Sequence, residues 1–305
     1  MKISFLGLGH MGLPMARNLA VAGHDVVGFD LSADARDAAR EAGVAVAATG
    51  TDAATGAEIV FTMFQAGPQV LGAYRGTDGA PGLLDVAAPG ALFVDCSTIA
   101  VDDARAAHEA AAASGHRSLD APVSGGVVGA ENATLAFMVG GADDAFAAAL
   151  PILDVMGARV VHCGGPGLGQ AAKVCNNMIL AVSQIAVAEA FVLGERLGLS
   201  HDALFDVAAH ASGQCWALTT NCPVPGPVPT SPANRDFRPG FAGALMSKDL
   251  ALAAKAIDRT GVDARMGMLA RDIYNEFASG AGAGQDFSGV ITTIRSASAQ
   301  EQEQQ

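Results

Sequence analysis

The chain has 305 residues, half of them hydrophobic and only 16% charged, a length and composition that admit two domains around substantial cores. Its 31 acidic and 18 basic residues give a formal net charge of -13, which excludes a general phosphate-backbone surface, so no nucleic acid partner is expected. Five scattered cysteines with no C-x-x-C pair read as the reduced thiols of a cytoplasmic protein. Seven histidines without an H-x-x-x-H or His/Cys cluster give no metal site.

The first strand is expected at residues 3–6, leaving no room before it for a signal segment or presequence. Gly7-Leu8-Gly9-His10-Met11-Gly12 follows, then a helix over residues 13–22. This is G-x-G-x-x-G in the strand, turn, helix setting of a dinucleotide site: Gly7 makes the turn, Gly9 lets a pyrophosphate approach, and Gly12 lets helix and sheet pack closely. A second strand, 25–29, ends in Asp30, where an acid hydrogen-bonds the adenosine ribose and repels a 2′-phosphate. No Arg follows at once, the next residues being Leu31, Ser32 and Ala33, so NAD is the expected cofactor. The alternative role for Asp30 is to cap the helix beginning near Ser32.

Helices are expected at 35–41 and 101–113 and strands at 58–63 and 91–95, the alternation of a doubly wound, mostly parallel sheet. The loops after those two strands, with Phe64 and Gln65 in one and Ser97 and Thr98 in the other, fall at carboxyl ends of strands and are candidate cofactor contacts. Ser97 and Thr98 also suit capping of the following helix. Next, Ser124-Gly125-Gly126 sets a hydroxyl beside successive backbone amides, either a nest for a small carboxylate or ordinary loop chemistry. A strand at 134–139, a helix at 142–156 and a strand at 159–163 close an α/β Rossmann domain, 1–163.

From residue 164 a glycine-rich turn runs into a long helix, residues 170–197, opening an all-α domain at 164–298. Gln170, Lys173 and Asn177 share one face of that helix. A polar patch there needs water, partners or a ligand, and spacing alone leaves open whether it is simply an exposed stripe. No uninterrupted run of about eighteen apolar residues occurs, so no membrane partner is expected. Helices are expected at 201–211, 243–259 and 266–278, separated by a proline-rich surface loop at 221–239. Lys248 and Asp249 read as a solvated ion pair near one helix start. Residues 296–305 read as a frayed polar end, with 299–305 set apart as a tail.

Three separated stretches resemble one family, the β-hydroxyacid dehydrogenases: FLGLGHMGLPMARNLAVAG its cofactor signature, DAPVSGG its substrate motif, and GQAAKVCNN its catalytic motif. With MSKDLALA the resemblance spans roughly residues 3–295. Further segments, DCSTIA, ASGQCW, PVPG and DFSGVI, are most similar to members acting on 3-hydroxyisobutyrate in valine breakdown. The resemblance implies a Rossmann domain joined by a long helix to an all-helical domain, and a homodimer or homotetramer formed mainly through the helical half. It implies that Lys173 is catalytic with Asn177 as its companion. Ser124, Gly125 and Gly126 would hold a small hydroxy acid, and Gln65, Thr98 and Lys248 would touch cofactor or substrate, with Phe241 near the nicotinamide. Two departures stand out: Gln65 replaces a proline common in the family, and Asn221-Cys222 replace Tyr-Asn.

Oxidising a hydroxyl moves hydride to the nicotinamide while a proton leaves the oxygen, so one positioned acid/base suffices, and Lys173 supplies it. Oxidation of 3-hydroxypropionate and reduction of tartronate semialdehyde are the neighbouring activities. A dinucleotide-binding protein without turnover is the reading from another class, and the presence of both Lys173 and Asn177 speaks against it.

Overall fold

The computed structural model describes residues 1–77 and 79–303 and divides into two compact units, Met1–Lys173 and Val174–Gln305. The amino-terminal unit opens with β1 (Lys2–Leu6), α1 (Gly12–Val21), β2 (Asp25–Phe29), α2 (Ala33–Glu41), β3 (Ala45–Val46), α3 (Gly50–Ala54) and β4 (Ile59–Thr62). It continues through α4 (Gly67–Arg75), α5 (Leu83–Val86), β5 (Leu92–Asp95), α6 (Val101–Ala113) and β6 (Arg117–Asp120). These strands lie in the order β3-β2-β1-β4-β5-β6, all parallel. Strand order reverses between β1 and β4, the position at which doubly wound sheets open a crevice for ligands.

Alternation along the central strands explains why the sheet is covered on both faces. Ile3, Phe5, Ile59, Phe61, Leu92 and Val94 enter one core, while Leu6, Val60 and Phe93 enter the other, as a two-residue period requires. Phe5 stacks on Phe61 with ring centroids 5.5 Å apart, which ties β1 to β4 at the switch point.

The sheet is extended by β7 (Val123–Ser124), β8 (Leu135–Gly141) and β9 (Gly157–Gly164), with α7 (Gly126–Glu131) and α8 (Asp143–Leu153) between them. β8 is antiparallel to β6 and β7 and parallel to β9. The long helix α9 (Leu168–Arg196) begins inside the amino-terminal unit, so that unit extends beyond Cys163. By length and composition alone α9 would be apolar enough to cross a bilayer. Instead it packs as a core helix: Ala181, Ile185, Ala188, Phe191 and Val192 lie in the interior of the carboxy-terminal unit, and its buried Gln170 and Asn177 side chains are hydrogen-bonded within the protein.

The carboxy-terminal unit adds α10 (His201–Ala209), α11 (Trp216–Thr219), α12 (Gly243–Thr260), α13 (Arg265–Ala278) and α14 (Val290–Glu303). Three sequence expectations fail here. The proline-rich stretch is not a surface wrap: Cys222, Val224 and Val228 are core residues, and Asn234 ties the segment together by donating to the carbonyl of Val228 and accepting from Gly226 N–H. Residues 296–303 are not frayed but continue α14, because Val290, Ile291 and Ile294 anchor its start in the core. Of the expected 299–305 tail, Gln304 and Gln305 lie outside the described residues. Lys248 and Asp249 are not a solvated pair: the nitrogen lies 3.4 Å from a carboxylate that is itself buried.

Candidate active site

The glycine turn after β1 has three different jobs. A Cβ on Gly12 would lie 1.8 Å from the carbonyl oxygen of Gly7, and one on Gly7 would lie 2.3 Å from that of Met63. Both positions therefore exist for close backbone packing. A Cβ on Gly9 would meet nothing within 4 Å, so the backbone there is open on the side a pyrophosphate approaches. Beyond it α1 starts without a side-chain cap, so no side chain competes with an anion at the helix start. Leu8 is buried, while His10 and Met11 lie at the turn's rim.

Asp30 closes the same turn from β2. Its Oδ2 accepts from Leu8 N–H at 2.7 Å and its Oδ1 from Ser32 N–H at 2.8 Å. The cap of α2 is Ser32, whose hydroxyl accepts from Ala35 N–H; Asp30 is not the capping residue. Each carboxylate oxygen keeps a further acceptor direction for ribose hydroxyls. Arg36, six positions on, donates to the carbonyls of Asp30 and Leu31 and lies over the Phe29 ring.

A second cluster organises the loops after β4 and β5. Phe64 N–H donates to Ser97 Oγ at 2.7 Å, and Ser97 Oγ donates to Asp95 Oδ1 at 2.6 Å. Thr62 Oγ1 donates to the same oxygen at 2.8 Å. Ser97 therefore ties the two loops together rather than capping α6, whose cap position is Ala100 with no side-chain bond. Gln65 follows in the Phe64 loop, where Gln69 Oε1 accepts from both Gln65 and Ala66 N–H. Burial lifts the Asp95 carboxyl to about 6, against hydrogen bonds from Ser97 and Thr62 that lower it, and the charge on Asp120 adds to the rise. Burial likewise pushes Cys96 and Tyr74 upward, with the Asp95 charge contributing to both.

Ser124 ends β7, paired with Ala136, and α7 begins at Gly126. Gly125 and Gly126 have φ of 129° and 62°, a left-handed turn that side chains disfavour. The motif is thus a strand-to-helix elbow with consecutive backbone amides beside the Ser124 hydroxyl.

On α9 all three flagged polar residues are buried: Gln170 is 0%, Lys173 7% and Asn177 2% exposed. The exposed-stripe reading is overturned. Gln170 donates to Ser97 C=O at 2.7 Å and accepts from Ile99 N–H at 3.1 Å, bracketing Thr98. Asn177 Nδ2 donates to Asp249 Oδ2 at 2.6 Å and its Oδ1 accepts from Asn176. A carboxylate only accepts, so Asp249 fixes which end of the Asn177 amide faces it. Asp249 in turn sits beside Lys248 on α12. Phe241 precedes that helix, its N–H held by Asp286 Oδ2 and its ring edge-on to Phe287.

The structure thus joins Leu8 to Asp30, Phe64 to Ser97, and Asn177 to the Lys248 neighbourhood. Sequence reasoning missed Asp95, Asp120 and Asp286 as anchors. The available signal was an acid ending a buried strand, in Asp95 and Asp120.

A glycine turn open at Gly9, an acid just after β2 that holds that turn and a buried lysine one helical turn before an asparagine are the features of an NAD-dependent hydroxy-acid dehydrogenase. Residues 2–165 match the family model described as the NAD binding domain of 6-phosphogluconate dehydrogenase, and residues 167–294 the one described as NAD-binding of NADP-dependent 3-hydroxyisobutyrate dehydrogenase. The chain belongs to the 3-hydroxyisobutyrate dehydrogenase family. It is 55% identical to a probable 3-hydroxyisobutyrate dehydrogenase of Mycobacterium tuberculosis, covering 96% of this chain and 97% of that one. It is also 45% identical to an NAD-dependent L-serine dehydrogenase of Pseudomonas aeruginosa, over 95% and 96% of the two chains. A solved structure of the M. tuberculosis 3-hydroxyisobutyrate dehydrogenase with L-serine superposes with a TM-score of 0.91 at 55% identity, covering 96% of this chain and 98% of that one.

Proposed function

We propose that the chain oxidises 3-hydroxyisobutyrate to methylmalonate semialdehyde, a step of valine breakdown, in the cytoplasm. The observation that carries this reading is the burial of Lys173 one turn before Asn177 on α9, in a chain 55% identical to a relative that carries that activity in its name. NAD, when bound, supplies the hydride acceptor. Gly7, Gly9 and Gly12 shape its phosphate seat, Asp30 takes the adenosine ribose, and Phe64, Gln65, Thr98, Phe241 and Lys248 line the rest. Asp30 favours NAD because a second negative charge there repels a 2′-phosphate.

Lys173 Nζ takes the proton from the substrate hydroxyl in oxidation and returns it to the carbonyl oxygen in reduction. Asn177, oriented by Asp249, hydrogen-bonds the reacting oxygen. Ser124 and the amides of Gly125 and Gly126 hold the carboxylate and fix the reacting carbon. A second substrate is favoured by a specific observation: one relative is named for L-serine and a solved relative holds it. L-Serine keeps the hydroxymethyl and carboxylate groups of 3-hydroxyisobutyrate and replaces the methyl with an ammonium.

The active form is a homo-oligomer. Along α9, Ile179, Ala186, Ala190 and Leu193 recur at helical spacing and are exposed, beside an apolar groove of about 380 Å³ lined by Val187, Leu204 and Leu218. A Leu193→Glu variant running at monomer mass by light scattering while wild type runs larger would support this; identical masses would refute it.

NADH formation at alkaline pH with 3-hydroxyisobutyrate, L-serine, 3-hydroxypropionate and glycerate in parallel tests the substrate. The highest kcat/KM is expected with 3-hydroxyisobutyrate. A higher value with L-serine would transfer the assignment to it, and no turnover of any of the four would remove the dehydrogenase reading.

A further inference from the structure

Helix α9 carries Lys173, yet it starts at a residue that cannot cap it. Helices are normally capped by a Ser, Thr, Asp or Asn whose side chain accepts from the amide two or three residues on. Here the residue before Leu168 is Gly167, with φ of 82° and no side chain. The missing acceptor comes from another element. Asp120, the last residue of β6, accepts from Gly167 N–H through Oδ1 and from Gln170 N–H through Oδ2, each at 2.8 Å. Its remaining bond is to His108 Nε2 on α6, 2.9 Å from Oδ1, and His108 Nδ1 lies 2.7 Å from Ser118 Oγ. Since the carboxylate only accepts, His108 presents Nε2–H to it, and in the neutral ring Nδ1 accepts a hydrogen bond from the Ser118 hydroxyl.

The surroundings are cleared for this carboxylate. A Cβ on Gly140 would lie 2.5 Å from Asp120 Oδ1, and one on Gly169 would lie 2.5 Å from the Asp120 carbonyl and 2.8 Å from Oδ2. Two glycines on different elements therefore admit an acid that is 1% exposed. From this point the chain leads in three directions. Asp120 opens the segment running to Ser124, Gly125 and Gly126. Gln170, held through its backbone, clamps Ser97 and Ile99 on either side of Thr98. Lys173 stands three residues beyond Gln170 on the same helix.

We infer that Asp120, braced by His108 and Ser118, is a positioning residue that sets the register of α9, and hence the place of Lys173, against the substrate elbow and the Thr98 loop. This deepens the dehydrogenase reading and rests on it. A helix start released from its remote cap lets Lys173 drift from the reacting oxygen, and misplacement on the ångström scale reduces turnover more than ground-state binding. No hydrogen bond links Asp120, His108, Ser118 or Gln170 to the turn at Gly7–Gly12, so amide exchange in α1 separates the proposed role from general loss of structure.

The test uses the full chain with Asp120→Asn and Gln170→Ala. It reads kcat, KM, and amide hydrogen exchange over residues 167–173 and in α1. In Asp120→Asn, kcat is expected to fall by about ten- to a hundredfold, with exchange at 167–173 accelerated while α1 is unaffected. The double variant should lose little more than Asp120→Asn alone, because both act through one device. Unchanged kcat, unchanged exchange at 167–173, or exchange accelerated as much in α1 as at 167–173 would overturn the proposal. Should Asp120→Asn fail to fold, His108→Asn and Gln170→Ala leave Asp120 in place, and wild-type kcat in both would overturn it. Should wild type turn over no hydroxy acid, the reading of function fails by that result, and hydrogen exchange alone then decides whether Asp120 holds the helix.

Discussion

Asp95→Asn is expected to make the protein more stable at alkaline pH relative to wild type, with an advantage that shrinks as pH falls. Asp95 is wholly enclosed; Oδ1 receives Thr62 and both groups of Ser97, while Oδ2 is a buried atom without a hydrogen-bond partner. Burial raises its pKa from 3.8 to about 6. A folded-state pKa above the unfolded value means that the contribution to stability is complete below the unfolded pKa and is lost as pH rises through the folded one. The difference corresponds to roughly 3 kcal/mol between acid and alkaline limits, at about 1.4 kcal/mol per unit. Asn keeps the Oδ1 acceptor and cannot ionise. Its amide meets the same unpartnered corner as the protonated acid, so the slope with pH is the sharper readout than the absolute gap. Urea unfolding of both proteins at pH 8 and pH 5 measures it, and the gap should narrow by about 1.4 kcal/mol. A gap that is constant with pH, or widens toward pH 5, would refute the account of this buried acid.

Lys173→Ala should reduce kcat by about 10²–10⁴-fold while leaving NADH affinity near wild type by fluorescence titration. Gly9→Ala and Gly12→Ala should separate binding from folding. The first has open space for its Cβ and should change stability by no more than about 0.5 kcal/mol while weakening NAD binding. The second meets the Gly7 carbonyl at 1.8 Å and should destabilise by about 1–3 kcal/mol or more, both read by thermal unfolding with and without NAD. Asp30→Asn removes the charge proposed to face the ribose, and the NADP/NAD ratio of kcat/KM should rise by about tenfold; an unchanged ratio would show that Asp30 does not set cofactor choice.

The Rossmann half was legible because its signals are local. A glycine turn between strand and helix, and an acid ending the next strand, each occupy a few consecutive residues. The helical half was legible through long periodic runs such as those of α9, α12 and α13. Short elements escaped: β3 has two residues and α5 and α11 four each, too few for any period to appear. The proline-rich segment was misplaced because proline content reports backbone conformation and not burial, and Cys222 and Val224 lie in the core despite it. At the site, spacing on α9 picked out Gln170, Lys173 and Asn177 but could not distinguish a solvated stripe from a buried one. That distinction rests on Ser97, Ile99 and Asp249, which are 71 to 73 positions away.

The same long-range logic explains why the missed anchors are acids. Asp95, Asp120 and Asp286 are nearly or wholly buried, in a chain with few charged residues. Asp286 accepts from Gly240 and Phe241 N–H on one oxygen and from Ser288 and Asn221 on the other. An amide offers one accepting oxygen and must place a donor where the second would be; a carboxylate accepts on both. At Asp120 and Asp286, where two loops or a loop and a helix start bring several donors to one buried point, a carboxylate satisfies them on both oxygens; Asp95 accepts on Oδ1 alone, so its charge is the costly one of the three. The desolvation of the charge is offset by several charge-assisted bonds, and one lost bond leaves a buried charge exposed to that penalty. Such junctions hold the start of α9 and the approach to Phe241, and Asp95 holds the Phe64 loop through Ser97, all of them segments proposed above to meet cofactor or substrate. Placement of the segments proposed to meet cofactor and substrate thus depends on buried acids outside the proposed contacts.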